Sequence, residues 1–492
     1  MAAAAWGPLE PLRALLESDD AVADAEKDRR TADAALQRAL AAEDTAAALQ
    51  QASIEQVDAA LAHDALAVER KPLAALTLLA VKAQKVERWM ALCRRAEDPA
   101  WRRIAAAFVA QSALLFHELP VHIAMKELRR VSLVAAQYTS LANDLQQSLR
   151  AVFPLKSLLR RVGQHGHTAI TPLHAHFFYL CLRAKCYSAA TDVLNRPLFE
   201  VHAQQGLVTP VDVLGYAYYG GLLCLGQKRY QDATDFFLLA VTAPAVALSA
   251  FVVEAYKKLL LTSLILRGES PSLPKYTPYV VTRNIETHCA AYLELRRAFV
   301  VDKDVQSLVN VLEAHASVFA KDGNTGLVKQ AIEAFKQQKL LQLPRTYVTI
   351  ALSEISKVAS LSAASTAADE VDAERLLLQL IDRGAMAAAI DKEKRMVKFV
   401  LDDDDDDDER EGELEQMLAM ERLQREMEKI LAVSAKLRAM DAEIVTSAKF
   451  QSRLAKDKER RHRGGGHQGG DERGADAGAP GFGLGYGLDS ME

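Results

Sequence analysis

Four histidines and two cysteines crowd the stretch GQHGHTAITPLHAHFFYLCLRAKC, residues 163–186. His165, His167, His174, His176, Cys181 and Cys186 are all of types that bind zinc, and four of them converging tetrahedrally would make a metal site. Their spacing opposes this, because no C-x-x-C or H-x-x-x-H pair is present. His174 and His176 follow a Thr-Pro helix start, where positions i and i+2 point to different faces. His165 and His167 sit in a Gly-flanked loop. The H-x-H metalloprotease pattern fails as well, since it needs Ser eight and Asp eleven residues after the second His. Those places hold Ala184 and Tyr187 when counted from His176, and Ala175 and Phe178 when counted from His167.

Other catalytic patterns fail on similar grounds. FHELPVH resembles H-E-x-x-H, but His117 and His122 are separated by five positions with Pro120 between them, so one helix face cannot present both. GFGLGYG near the C-terminus has no strand before it or helix after it to make a phosphate cradle. No G-x-S-x-G or P-loop occurs. Any carboxylate pair reads equally well as solvated helix charge. The expectation is a chain without catalytic residues, bound metal or cofactor.

The elements that would hold these residues are helical. The 492-residue chain carries a net charge of −5, with 50% hydrophobic and 25% charged residues, as in soluble globular proteins. That charge gives no reason to expect nucleic acid as a partner. Five scattered cysteines point to a reducing compartment. MAAAAWGPLEP has no basic region ahead of an apolar core, so no secretory signal is expected. FFLLAVTAPAVALSAFVV, from Phe236 to Val253, is apolar enough to raise a membrane span. Pro244 divides it, so two buried helices meeting at a turn are expected instead. Helical periodicity runs nearly unbroken to about Leu343.

An internal repeat sharpens the helical reading. LCLRAKCYSAATDVL (180–194) aligns with LCLGQKRYQDATDFF (223–237) at an offset of 43, with eight of 15 positions identical. In each copy an apolar helix ends, a polar turn follows, and a Tyr precedes a small Ala at i+3. Tetratricopeptide-like helix pairs pack in this way and stack into a solenoid. Cys181 and Cys224 share one repeat position inside apolar helices, where Cys acts as a small hydrophobe.

Beyond Pro344 the texture changes. TYVTIAL (346–352) reads as a strand and SEISKVASL as a helix, and DEVDAERLLLQLIDRG reads as a helix stopped at Gly384. AMAAAI and RMVKFV, joined by DKEK, read as a hairpin. Strand, helix, helix, strand, strand is a winged helix. Its recognition helix carries Glu370, Asp372, Glu374 and Asp382 against Arg375 and Arg383, which would repel phosphates, so protein docking is expected rather than DNA binding. Leu376, Leu377, Leu380 and Ile381 are its expected buried face. The run Asp402 to Asp408 repels itself and reads as a linker. Past it, Leu423, Met427, Ile430, Leu437, Met440 and Ile444 form an apolar stripe that averages a spacing of 3.5 when the seven-residue step is counted as two, suited to packing against partner helices. The tail from Arg461 onward is Gly-rich and expected to be disordered.

The expected organisation is therefore Ala-rich N-terminal helices over 1–114, a tetratricopeptide-like repeat arm over 115–343 and a winged helix over 344–401. An acidic linker over 402–412, a C-terminal helix over 413–460 and a tail over 461–492 complete it. A repeat arm, winged helix and bundling helix in this order resemble the PCI-domain family, shared by the proteasome lid, the COP9 signalosome and translation initiation factor three. ALSEISKVASL, VDAERLLLQLIDRGAMAAAIDKEKRMVKF and the preceding repeats carry the match. Within the family, TPLHAHFFYLCLRAKCYSAATDVL and DVLGYAYYGGLLCLGQKRYQDATDFFLLAVTAPA are similar to the signalosome branch. That resemblance implies a non-catalytic scaffold in the complex that removes NEDD8 from cullin–RING ubiquitin ligases. It also implies signalosome subunits as partners, cullin–RING ligases as indirect ones, no nucleic acid or membrane, and a nuclear and cytoplasmic location. The proteasome lid and a winged-helix nucleic-acid adaptor are the alternatives. In the family the winged-helix edge typically meets a neighbouring subunit, which makes RMVKFV a candidate contact.

Overall fold

The computed structural model describes residues 49–62, 71–96, 101–164, 169–196, 208–303, 305–359, 367–392, 394–399, 409–448 and 450–456, with the isolated positions Leu9, Leu198 and Val201. The chain divides into two compact units, residues 1–406 and 407–492. In the first, α1 (Ile54–Leu61), α2 (Pro72–Ala96), α3 (Trp101–Glu118), α4 (Val121–Lys126), α5 (Leu128–Asp144) and α6 (Ser148–Gln164) lead into the repeat region. There follow α7 (Pro172–Arg183), a 3₁₀ turn (Tyr187–Ala190) continuing as α8 (Thr191–Leu194), then α9 (Pro210–Gly226), α10 (Tyr230–Thr242) and α11 (Ala250–Arg267). The arm ends with α12 (Tyr279–His288), α13 (Ala290–Arg297), α14 (Val305–Lys321) and α15 (Thr325–Gln342).

The repeat seen in the sequence is a structural repeat. Lys185 and Lys228, 43 residues apart, both adopt left-handed backbone (φ 54° and 59°). In each copy the chain closes the helix with the same long bond: Cys186 N–H donates to Cys181 O, and Arg229 N–H to Cys224 O, both at 2.9 Å. This six-to-one closure satisfies carbonyls that a helix end leaves orphaned. Gln146, Gly323 and Gly384 repeat it at the ends of α5, α14 and the winged-helix recognition helix. Ala190 and Ala233 are fully buried, as close helix approach requires. Tyr187 packs on the next helix, where Gly226 leaves room for it: a Cβ there would lie 2.6 Å from the ring. Gly221 makes a similar bed for Phe237, at 2.5 Å.

Helices α5, α7, α9 and α11 stack each on the next-but-one, the packing of a solenoid. Polar ties cross the stack. Lys257 on α11 bonds Glu254 (2.7 Å) and Asp322 (2.8 Å), while the Tyr292 hydroxyl donates to Asp322 at 2.9 Å. Burial opposes ionisation of Asp322, yet these donors carry its carboxyl below the ordinary value. Phe236–Val253 is divided as expected, with α10 ending at Thr242, Pro244 in the connection and α11 starting at Ala250. Among the described residues no helix is long and apolar enough to cross a membrane.

One hydrophobic core takes in residues from Leu9 and Leu49 through to Phe335. The expected division at 114/115 falls inside α3, whose Phe108, Leu115 and Phe116 all belong to that core. Composition changes there while packing does not, because Ala-rich and Leu-rich helices bury the same kind of face.

After α15 comes the winged helix: β1 (Thr349–Ala351), α16 (Leu352–Ala359), α17 (Ala367–Asp382), β2 (Ala388–Asp391) and β3 (Met396–Phe399). Its core joins Ile350, Ile355, Ala373, Leu377, Leu380, Val397 and Phe399 with Leu340 and Leu343 from the end of the arm. The expected boundary at 343/344 therefore cuts through this core: α15 serves both modules, with Phe335 in one core and Leu340 in the other. Leu377 and Leu380 are buried as expected, and Leu376 packs at the margin of the core. Ile381 is only half-buried, and Ala373 takes its place on the i, i+4, i+7 face. The strands are shorter than expected, because Leu352 already starts α16 and only 388–391 of the first hairpin arm pair.

The second unit contributes α18 (Glu409–Thr446). The helix starts four residues before the expected 413. Its regular span closes at Thr446, short of the expected 460, and a further helical stretch covers 450–456. The aspartates 402–408 and the tail from Arg461 lie outside the described residues.

Candidate functional site

His174 and Cys181 of the histidine and cysteine cluster are taken up by packing. Thr171 caps α7, and its N–H donates to Nδ1 of His174 at 3.1 Å. Tyr216 stands edge-on to the His174 ring with centroids 5.9 Å apart. Burial pushes the imidazole down to about 4; the Thr171 hydrogen bond opposes this and Arg196 reinforces it. His176 lies on another face and is also held below its ordinary value, by burial against the pull of Asp212. Cys181 and Cys224 are fully buried, and burial pushes both thiols up to about 12. Such thiols are inert. His165 and His167 lie outside the described residues. His117 ends α3 and His122 sits in α4, on the far side of the Pro120 cap. Among the described residues no group of three or more His, Cys, Asp or Glu is placed to hold a metal.

The surfaces left for function are those that lack internal partners. In the winged helix the strand order is β1-β3-β2, with antiparallel pairing of Ile350 to Val397 and of Ile390 to Val397. Within RMVKFV, Met396–Phe399 is thus the central strand, paired on both sides, and is not a sheet edge. Val397 and Phe399 fill the core beneath it. The backbone edges of the sheet are β1 and β2. Pairing order depends on how the chain folds back, and no local residue pattern carried that information. The recognition helix α17 presents Asp372 and Asp382 to solvent, whereas Glu374 is neutralised by Lys392 at 2.7 Å.

The six stripe residues all lie on the single helix α18, and each is exposed: Leu423 59%, Met427 54%, Ile430 65%, Leu437 57%, Met440 49% and Ile444 52%. Met420 extends the stripe by a three-residue step, and Val433 fills the gap between Ile430 and Leu437. A 38-residue helix with an apolar seam left in water has the form of one member of a helix bundle.

Comparison with known proteins bears on what such a molecule is. Residues 35–281 match the family model described as "COP9 signalosome complex subunit 3, N-terminal helical repeats". The chain belongs to the COP9 signalosome subunit 3 family. Residues 312–400 match the PCI domain model, which takes in α15 as well as the winged helix, in keeping with the core those elements share. COP9 signalosome complex subunit 3 of Dictyostelium discoideum is 32% identical over 295 residues, which is 60% of this chain and 69% of that protein. The Arabidopsis thaliana protein of that name is 33% identical over 259 residues, covering 52% of this chain and 57% of its own length.

Proposed function

We propose that this chain is a non-catalytic scaffold subunit of a COP9 signalosome, the assembly that removes NEDD8 from cullin–RING ubiquitin ligases. The match of its arm to the subunit 3 repeats carries the reading. The exposed stripe and the sheet edges support a division of labour in which the solenoid is the frame, an edge of the winged-helix sheet docks a neighbour, and α18 enters a bundle of partner helices through Leu423, Met427, Ile430, Leu437, Met440 and Ile444. Cullin–RING ligases are then indirect partners, reached through the assembled complex, and the chain works in the nucleus and cytoplasm. The isomorphous role in the proteasome lid is less favoured, since the arm matches the signalosome repeats. Acidic α17 speaks against a nucleic-acid adaptor.

Affinity purification from native cells tests this. The chain should bring down other PCI subunits and a metalloprotease that cleaves NEDD8 from a cullin, while the chain alone should neither cleave that conjugate nor bind stoichiometric zinc. Recovery of proteasome subunits instead, or cleavage by the isolated chain, refutes the reading.

A further inference from the structure

The connection between α11 and α12 reads GESPSLPKYTP, residues 268–278, and nothing in the assembly role uses it. It contains Ser270-Pro271, the minimal substrate pattern of proline-directed protein kinases. The chain holds four Ser/Thr-Pro pairs, at Thr171, Thr209, Ser270 and Thr277. Thr171 and Thr277 are buried. Thr209 caps α9, and its hydroxyl donates to the Asp212 carboxylate at 2.7 Å, so a phosphate there would meet an anion and undo the cap. Ser270 differs in each respect. It is exposed, and residues 270–274 lie outside any helix or strand. Its Oγ already accepts a hydrogen bond from the Arg296 guanidinium at 3.4 Å. Arg296 and Arg297 line an open groove together with Leu293, Val300 and Val301. Acids near these arginines include Glu269, Glu294 and Asp302; Glu294 is engaged by His315 at 2.6 Å, and Asp302 lies 4.0 Å from Arg297.

We propose that Ser270 is a phosphorylation site for a proline-directed kinase, and that Arg296 holds the phosphate once it is formed. In the transfer, Ser270 Oγ bonds to the γ-phosphorus of ATP and its proton passes to the kinase's catalytic aspartate. The bond to the β-phosphate oxygen breaks and ADP leaves. The product carries roughly −1.5 to −2 charge and three acceptor oxygens beside a planar cation suited to bidentate bonding. The 268–278 connection is thereby tied to α13, covering the groove. Phosphorylation would rigidify this part of the arm without disturbing either core.

The test uses the full-length chain with ATP and an active kinase of the mitogen-activated class, followed by peptide mapping. Phosphate is expected on Ser270 and absent from Thr171, Thr209 and Thr277; Pro271→Ala should abolish it. The ³¹P resonance missing from Ser270→Ala should titrate about 0.5–1 unit below the usual value of about 6, the lower end of such shifts because the pair is exposed. Arg296→Gln, confirmed folded by its melt, should return it to about 6 and remove the added amide protection over 268–278. An unmodified Ser270 while a standard Ser-Pro peptide is phosphorylated in the same tube overturns the site. Equal titration in wild type and Arg296→Gln overturns the clamp.

Discussion

Replacing Ile430 and Leu437 together by Asp puts the bundle role of α18 to a quantitative test. In the chain as folded, these side chains are 65% and 57% exposed. Full burial of an Ile or Leu side chain stabilises by about 1.5–3 kcal/mol. The area still open on the two residues is therefore worth about 2–4 kcal/mol to a partner that covers it. At 1.4 kcal/mol per decade this weakens incorporation by roughly 30- to 700-fold, and burying either carboxylate adds to that. The chain itself should lose little, since exposed substitutions usually stay within about ±0.5 kcal/mol. Asp is also a poorer helix former, so Ala435→Asp with Ala442→Asp, on the opposite face of the same helix, is the matched control. Partner subunits co-purified with each tagged chain are quantified beside its thermal melt. Wild-type recovery by the stripe mutant, an equal loss in the control pair, or an early melt of the mutant chain would each refute the reasoning. Deleting 409–460 should likewise spare the arm and winged helix, whose cores lie upstream, while lowering incorporation.

Three further outcomes follow from the packing. Leu380→Asp places an unpaired charge at a buried position of the winged-helix core and should cost several kcal/mol, unfolding that module; limited proteolysis across 344–401 reads it. Gly221→Ala gains about 1 kcal/mol of helix propensity but drives a methyl into buried Phe237, an overpacking worth about 1–3 kcal/mol, so it should destabilise. Gly326→Ala, with nothing within 4 Å, should not, and denaturant melts separate the two. His174 titrates near 4 when folded and near 6.5 when unfolded, so its contribution is complete above pH 6.5 and is lost as the pH falls towards 4. The loss is about 3 kcal/mol, and the stability of His174→Gln should fall less steeply over that range.

The sequence by itself determined whatever depends on neighbours along the chain. The 43-residue offset placed two helix pairs and their turns, and Lys185 and Lys228 turn out to share one left-handed conformation because a six-to-one helix closure requires it whatever the side chain. Gly384 ends α17 for the same local reason. The stripe on α18 was legible too, since periodicity alone says which side chains share a face. Tertiary structure decided what depends on distant partners. It put Met396–Phe399 between two strands and left β1 and β2 at the sheet edges, because strand order is set by chain return and core fit rather than by the strand's own residues. It ran one core through the 114/115 composition change and let α15 serve two modules, since burial follows which surfaces meet. It brought Arg296 to Ser270 from 26 positions away along the chain, a juxtaposition that local sequence pattern does not reveal.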